Sequence, residues 1–102
     1  MESDLLDMMN KDTERLNKIA ALLRVLSNEK RMKILGYLSA GEQCVSELEN
    51  VVGISQSALS QHLAKLRASE MVSTRREAQN IYYSIKEPSV QELINYLTKI
   101  KI

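Results

Sequence analysis

Apolar residues recur every three or four positions at Leu16, Ile19/Ala20, Leu22/Leu23 and Leu26, a spacing that predicts one apolar stripe along a helix. Upstream, Leu5 and Met8/Met9 continue the pattern, but Asn10-Lys11-Asp12-Thr13 interrupts it, so residues 3–9 read as a separate or frayed turn. Ser27 or Asn28 can cap a second helix, with Glu29 in its first turn and Met32, Ile34, Leu35 and Leu38 as its apolar positions. Ser39-Ala40-Gly41 stops it. Ser46 and Glu49 have capping-box spacing and predict a short third helix that buries Leu48, Val51 and Val52 and ends at Gly53. Ser55 then caps a fourth helix, Ile54 and Leu59 take the positions of a hydrophobic staple, and Leu59, Leu63 and Leu66 point inward.

After Glu70 the apolar period changes from helical to two. Val72–Arg76 and Ile81–Ile85 read as strands, joined through Glu77-Ala78-Gln79-Asn80 into a hairpin. Pro88 opens a last helix, where proline is tolerated, with Leu93, Ile94, Leu97 and Ile100 as its stripe. The expected order is α-α-α-α-β-β-α: mainly α, with a small β-hairpin.

Composition narrows the class. A length of 102 residues predicts a single domain over 1–102. A content of 44% hydrophobic and 26% charged residues, with three Gly and one Pro, excludes a disordered tail. Phe and Trp are absent, and a core of Leu, Ile, Val and Met suits packed helices. The lone cysteine, Cys44, excludes an internal disulfide and fits a reducing compartment. No apolar run approaches the roughly 20 residues of a membrane span, and the acidic N-terminus lacks the apolar core of a signal peptide. A soluble cytoplasmic protein is expected. A chain of this size buries only about 60–65% of its unfolded surface, so a second subunit would add stability.

A short helix, a Gly-containing turn and a longer helix over residues 45–68 make a helix-turn-helix. A helical wheel sets Ser57, Ser60, Gln61, Ala64, Lys65 and Ala68 opposite Leu59, Leu63 and Leu66. This outward face is small, hydrogen-bonding and free of carboxylates, and the B-DNA major groove admits a helix of that width. Gln56, Ser57, Ser60 and Gln61 are therefore the expected base-reading residues, since glutamine pairs bidentately with adenine and serine with either donors or acceptors. The net charge is only +1, but residues 1–54 sum to −2 and residues 55–86 to +3. The positive share thus falls where phosphates would need it. Ser55, His62, Lys65, Arg75, Arg76, Gln79 and Asn80 are the expected backbone contacts, with residues 71–86 as a wing.

The run Ile54–Arg67 (ISQSALSQHLAKLR) resembles the recognition helix of the ArsR/SmtB family of winged-helix bacterial repressors. Leu26–Leu35 (LSNEKRMKIL) resembles that family's second-helix signature, and Arg76–Ile85 (REAQNIYYSI) its wing. The three motifs occur in family order over roughly residues 15–100. The resemblance implies a winged helix-turn-helix homodimer on an inverted-repeat operator, acting as a repressor. It also implies dimerisation through segments 1–26 and 88–102, on Leu16, Ile19, Leu23, Leu26, Leu93, Ile94, Leu97 and Ile100.

The same comparison implies no evident effector. One family metal site uses Cys-Val-Cys, and here the segment is Cys44-Val45-Ser46; another uses His and carboxylates on the last helix, which here has only Glu92. No metal and no cofactor is expected. The Ala78-Gln79 wing is nearest the HlyU/BigR/SqrR-like subgroup, which responds to reactive sulfur or oxidants through two cysteines. Gly36 and Ile102 stand in those places, so the dithiol switch is absent. An oxidant response through Cys44 alone, or a winged-helix protein–protein adaptor that does not bind DNA, are the competing readings. An enzyme is not expected, since no Gly-rich phosphate loop, paired carboxylates or nucleophile–base arrangement occurs.

Overall fold

The computed structural model describes residues 3–102, so the first two residues of the 1–26 segment lie outside it. Along the chain come α1 (Asp4–Lys11), α2 (Thr13–Leu26), α3 (Glu29–Ser39), β1 (Gln43–Cys44), α4 (Val45–Val52), α5 (Gln56–Ala68), β2 (Val72–Glu77), β3 (Asn80–Ile85) and α6 (Pro88–Leu97). The strands form one antiparallel sheet in the order β1-β3-β2. With α4, the turn, α5 and the β2–β3 hairpin, this is a winged helix-turn-helix, as expected.

Local chemistry sets most boundaries. The Asn28 side chain caps α3 by accepting from Lys30 N–H at 2.9 Å and Arg31 N–H at 3.1 Å. Ser55 Oγ accepts from Ala58 N–H at 3.2 Å and so starts α5 at the predicted place. Gly53 closes α4 with a left-handed φ of 75°, a conformation that glycine adopts without the steric cost other residues meet.

Four sequence expectations are corrected. Val51, expected on the buried side of the short third helix, is 40% exposed. Residues 3–9 are separate from the next helix, as expected, but are no frayed turn: they belong to a two-turn helix, α1, which Ser3 Oγ caps by accepting from Leu6 N–H at 3.0 Å. Asp12 then ends α1 and caps α2 by accepting from Arg15 N–H at 3.0 Å. The capping box of α4 is not Ser46/Glu49 but Cys44/Glu47, two residues earlier, where Cys44 N–H donates to Glu47 Oε1 at 3.0 Å. That bond holds the Glu47 carboxyl below its ordinary pKa. Finally, β1 was not expected. Two residues are too few to show a period, and their partners, Tyr83 and Tyr82, lie some forty positions away.

The core centres on α5. Leu59, Leu63 and Leu66 are buried against Ile34, Leu35 and Leu38 of α3, Leu48 and Val52 of α4, and Met71, Val72, Tyr83 and Val90. Burying each leucine contributes about 1.5–3 kcal/mol, and truncating one to alanine costs about 2–5 kcal/mol. α1 lies outside this core, and α2 reaches it only at its C-terminal end, through Leu26 with Leu22 and Val25 packed alongside. No residue of α1 is buried, and in α2 only Leu26 is. The radius of gyration, 15.4 Å, exceeds the roughly 13 Å of a compact chain this long, and the molecule measures 53 × 29 × 22 Å.

The end of α5 holds backbone strain. Met71 N–H donates to Leu66 C=O at 3.0 Å and Glu70 N–H to Arg67 C=O at 2.9 Å, a Schellman motif with Met71 buried behind it. Its left-handed position, usually glycine, is Glu70 at φ 56°. The Glu70–Lys86 ion pair, 3.5 Å and largely exposed, offsets little of that cost. Glu70→Gly is expected to stabilise the fold by about 0.5–1 kcal/mol, read as a higher urea midpoint with an unchanged slope.

Candidate nucleic-acid interface

With three leucines turned into the core, α5 can present only its other side to solvent. Gln56, Ser57, Ser60, Gln61, Ala64, Lys65 and Ala68 are all exposed along that side. Among the described residues, the side chains of Gln56, Ser60, Gln61 and Lys65 make no hydrogen bond or ion pair within the chain. Their polar groups are free to pair with something else. Ser55 is divided between roles: its hydroxyl caps α5 and lies 3.3 Å from Ser57 Oγ. No carboxylate lies on the helix before Glu70, and Lys65 and Arg67 occupy its last turn, where cations also suit the helix dipole.

Arg75 ties the hairpin to the loop before β1. Arg75 Nη2 and Nε reach Glu42 at 2.7 and 3.1 Å, and its Nη1 reaches Glu77 at 2.6 Å. Its guanidinium carbon also stands 4.6 Å from the Tyr82 ring centroid. These two carboxylates hold the guanidinium more firmly protonated than usual, and Arg75 in turn pulls the Glu42 carboxyl below its ordinary pKa. Arg75 is thus committed within the fold. Arg76 is exposed and forms no ion pair among the described residues. Because Glu77 pairs with Asn80, Ala78 and Gln79 form a two-residue tip with Ala78 left-handed at φ 55°. Gln79 and Asn80 are exposed there.

His62 sits apart from the outward face. It is half-buried between α5 and α3, with its Nδ1 3.5 Å from Arg31 Nη1. Burial first, then the charges of Arg31 and Lys65, push its pKa down. Sequence reasoning had assigned no role to Arg31 or Glu42. Arg31 lies inside the LSNEKRMKIL motif, which is a pointer; Glu42 lies in a loop, and its pairing with Arg75 depends on tertiary contact alone.

Of the residues expected to dimerise, Leu23 and Ile100 are exposed at 52% and 54%, while Leu26 is only 6% exposed and belongs to the protomer's own core. Leu16, Ile19, Leu93, Ile94 and Leu97 are half-buried. Leu5, Leu6, Met9 and Tyr96 are exposed large apolar side chains that had not been counted. Cys44 is buried, with its Sγ 3.1 Å from Ser46 Oγ. No group of three or more His, Cys, Asp or Glu gathers among the described residues, and no helix is long and apolar enough to cross a membrane.

A scan against protein families matches residues 28–74 to the family described as "Bacterial regulatory protein, arsR family". The transcriptional activator HlyU of Vibrio cholerae is 42% identical over 83 residues, 81% of this chain and 77% of that protein. The crystal structure of the transcriptional repressor BigR from Xylella fastidiosa is similar with a TM-score of 0.85 at 38% identity, covering 92% of this chain and 96% of that one. The homodimeric winged helix-turn-helix DNA-binding domain of Mb0332 from Mycobacterium bovis is similar with a TM-score of 0.77 at 26% identity, covering 97% and 86%.

Neutralising Glu42 would leave Arg75 paired with Glu77 alone and delete a negative charge beside the wing. Glu42→Gln is therefore expected to tighten binding to random duplex DNA and to steepen its salt dependence by about one unit of log–log slope. Titrations at several salt concentrations read both.

Proposed function

This chain belongs to the ArsR family of bacterial regulatory proteins, and from that premise we propose that it binds an inverted-repeat operator in double-stranded DNA as a homodimer and represses transcription there. The observation that carries the reading is the outward side of α5: exposed, without carboxylates, and with two glutamines and a serine unpaired within the chain. Such a helix fits the major groove, where Gln56, Ser57, Ser60 and Gln61 would meet base edges. Lys65 and Arg76 would hold phosphates on either side, with Ser55, Gln79 and Asn80 adding neutral contacts. Arg75 would act mainly through the wing it stiffens, and His62 from the back of the helix.

Dimerisation is supported by the apolar surface that the fold leaves uncovered. Leu5, Leu6 and Met9 of α1, Leu23 of α2, Tyr96 of α6 and Ile100 just beyond that helix are all exposed. Leu16, Ile19, Leu93, Ile94 and Leu97 border these positions. A twofold axis between two such surfaces would set two copies of α5 about one helical turn apart, roughly 34 Å, on one face of DNA. A dimer seated across a promoter in this way excludes polymerase, which is the basis for repression. An adaptor would be expected to place apolar or acidic groups where Ser57, Ser60, Gln61 and Lys65 stand, and α5 has neither.

Selection of bound fragments from a genomic library, followed by footprinting, tests the reading; inverted repeats of fixed spacing are expected. Gln56→Ala or Gln61→Ala should cost about 1–3 kcal/mol on the selected site and relax preference at one position of each half-site. Lys65→Ala or Arg76→Ala should weaken selected and random duplexes alike and make the salt slope shallower. Equal losses on both duplexes for the glutamine variants would remove them from base reading. Cys44→Ser is expected to leave operator binding and its response to oxidants unchanged in mobility-shift assays.

A further inference from the structure

Arg31 stands in the first turn of α3, where the helix dipole disfavours a cation. It is half-buried and has no carboxylate partner among the described residues. Its contacts run instead to two other helices. Nε donates to the carbonyl of Val25 at 2.7 Å, one of the last carbonyls of α2 and so without a partner further along that helix. Nη1 lies 3.5 Å from Nδ1 of His62 on α5. One planar side chain thus joins the end of α2, whose exposed leucine belongs to the proposed dimer surface, to the back of the helix proposed to enter DNA.

The chemistry of this contact fixes the state of the ring. A guanidinium has donors only, so a hydrogen bond between Nη1 and Nδ1 requires the Nδ1 lone pair, that is, a neutral imidazole with its proton on Nε2. Burial and the two nearby cations, Arg31 from α3 and Lys65 on α5 itself, favour that neutral form, and no carboxylate among the described residues counters them. Protonation would set two cations face to face and break the link.

We propose that Arg31 is a positioning residue, paired with neutral His62, that fixes the angle between α2 and α5 and so sets the half-site spacing and the sequence selectivity of the dimer. This rests on the DNA-binding reading above. For a twofold dimer, the separation of the two reading helices depends on how each α5 is held relative to the helices at the axis. A phosphate contact alone would instead tighten selected and random duplexes alike as His62 gains charge and leave their ratio unchanged.

The test uses Arg31→Lys and His62→Gln in the full chain, with circular dichroism and sedimentation confirming fold and dimer. Arg31→Lys keeps the charge but loses the fork that reaches both partners. Its ratio of operator to random-duplex affinity is expected to fall about tenfold, and its selected operators to tolerate altered spacing, while random-duplex affinity stays the same. In the wild type the same ratio should hold at neutral pH and fall only as the pH drops below the ordinary histidine range, where His62 gains a proton, and in His62→Gln it should stay flat. Nitrogen NMR of the ring should show the Nε2–H tautomer in the wild type and a shifted Nδ1 resonance in Arg31→Lys, where the acceptor loses its guanidinium donor. An unchanged ratio and spacing in Arg31→Lys, or a pH dependence retained in His62→Gln, would overturn the proposal. A wild-type dimer that selects no DNA would instead overturn the regulator reading, and the ring spectra would still decide whether Arg31 holds His62.

Discussion

The packing of Leu59, Leu63 and Leu66 is the constraint from which the rest of the molecule follows. An α-helix turns by about 100° per residue, so fixing three positions of one stripe fixes where every other side chain points. All three leucines are almost fully buried. Rotating α5 by one residue would pull them out of the core and bring in Ser60, Ala64 and Arg67, or Ala58, His62 and Lys65 in the other sense, burying polar groups without partners at several kcal/mol each. The polar side is therefore presented by exclusion. Its residues contribute little to folding, which leaves them free to differ according to what they must read.

This division explains how much was legible in the sequence. Elements built from local rules were read closely: the Ser55 cap, the Gly53 stop, the proline start of α6 and the alternation through Ile81, Tyr83 and Ile85 all act within a few residues. What was missed depends on contacts between distant segments or on competition between similar local signals. The Cys44/Glu47 box displaced Ser46/Glu49 because β1 pairs Cys44 with Tyr82 and fixes where the chain can turn into α4. The commitment of Arg75 to Glu42 joins residues 33 positions apart, and no pattern announces it. Arg31 is similar: a charged residue in a helix motif reads as solvated surface until the carbonyl and the imidazole it reaches are seen.

Electrostatics in this chain is a matter of placement. A net charge of +1 gives no general attraction to a polyanion. Of the wing's two arginines, one is neutralised by carboxylates and stiffens the hairpin, leaving Arg76 exposed. A protomer therefore has few free cations near the reading helix, chiefly Lys65, Arg67 and Arg76. Each contributes about one released counterion when it meets a phosphate, so a single copy would hold DNA weakly at physiological salt. Two copies held together double that number, and the second binds at a high effective concentration once the first is seated.

The same economy applies to stability. One protomer leaves α1 without a buried residue and α2 with only Leu26, yet both helices are well capped, at Ser3 and Asp12. Capping contributes about 1 kcal/mol per helix and cannot by itself keep an isolated two-turn helix ordered in water. The missing stabilisation has to come from surface that the protomer does not supply. The uncovered apolar side chains on α1, α2 and α6 are where a second copy would supply it, so folding of the N-terminal helices and assembly of the DNA-binding unit would be one linked equilibrium.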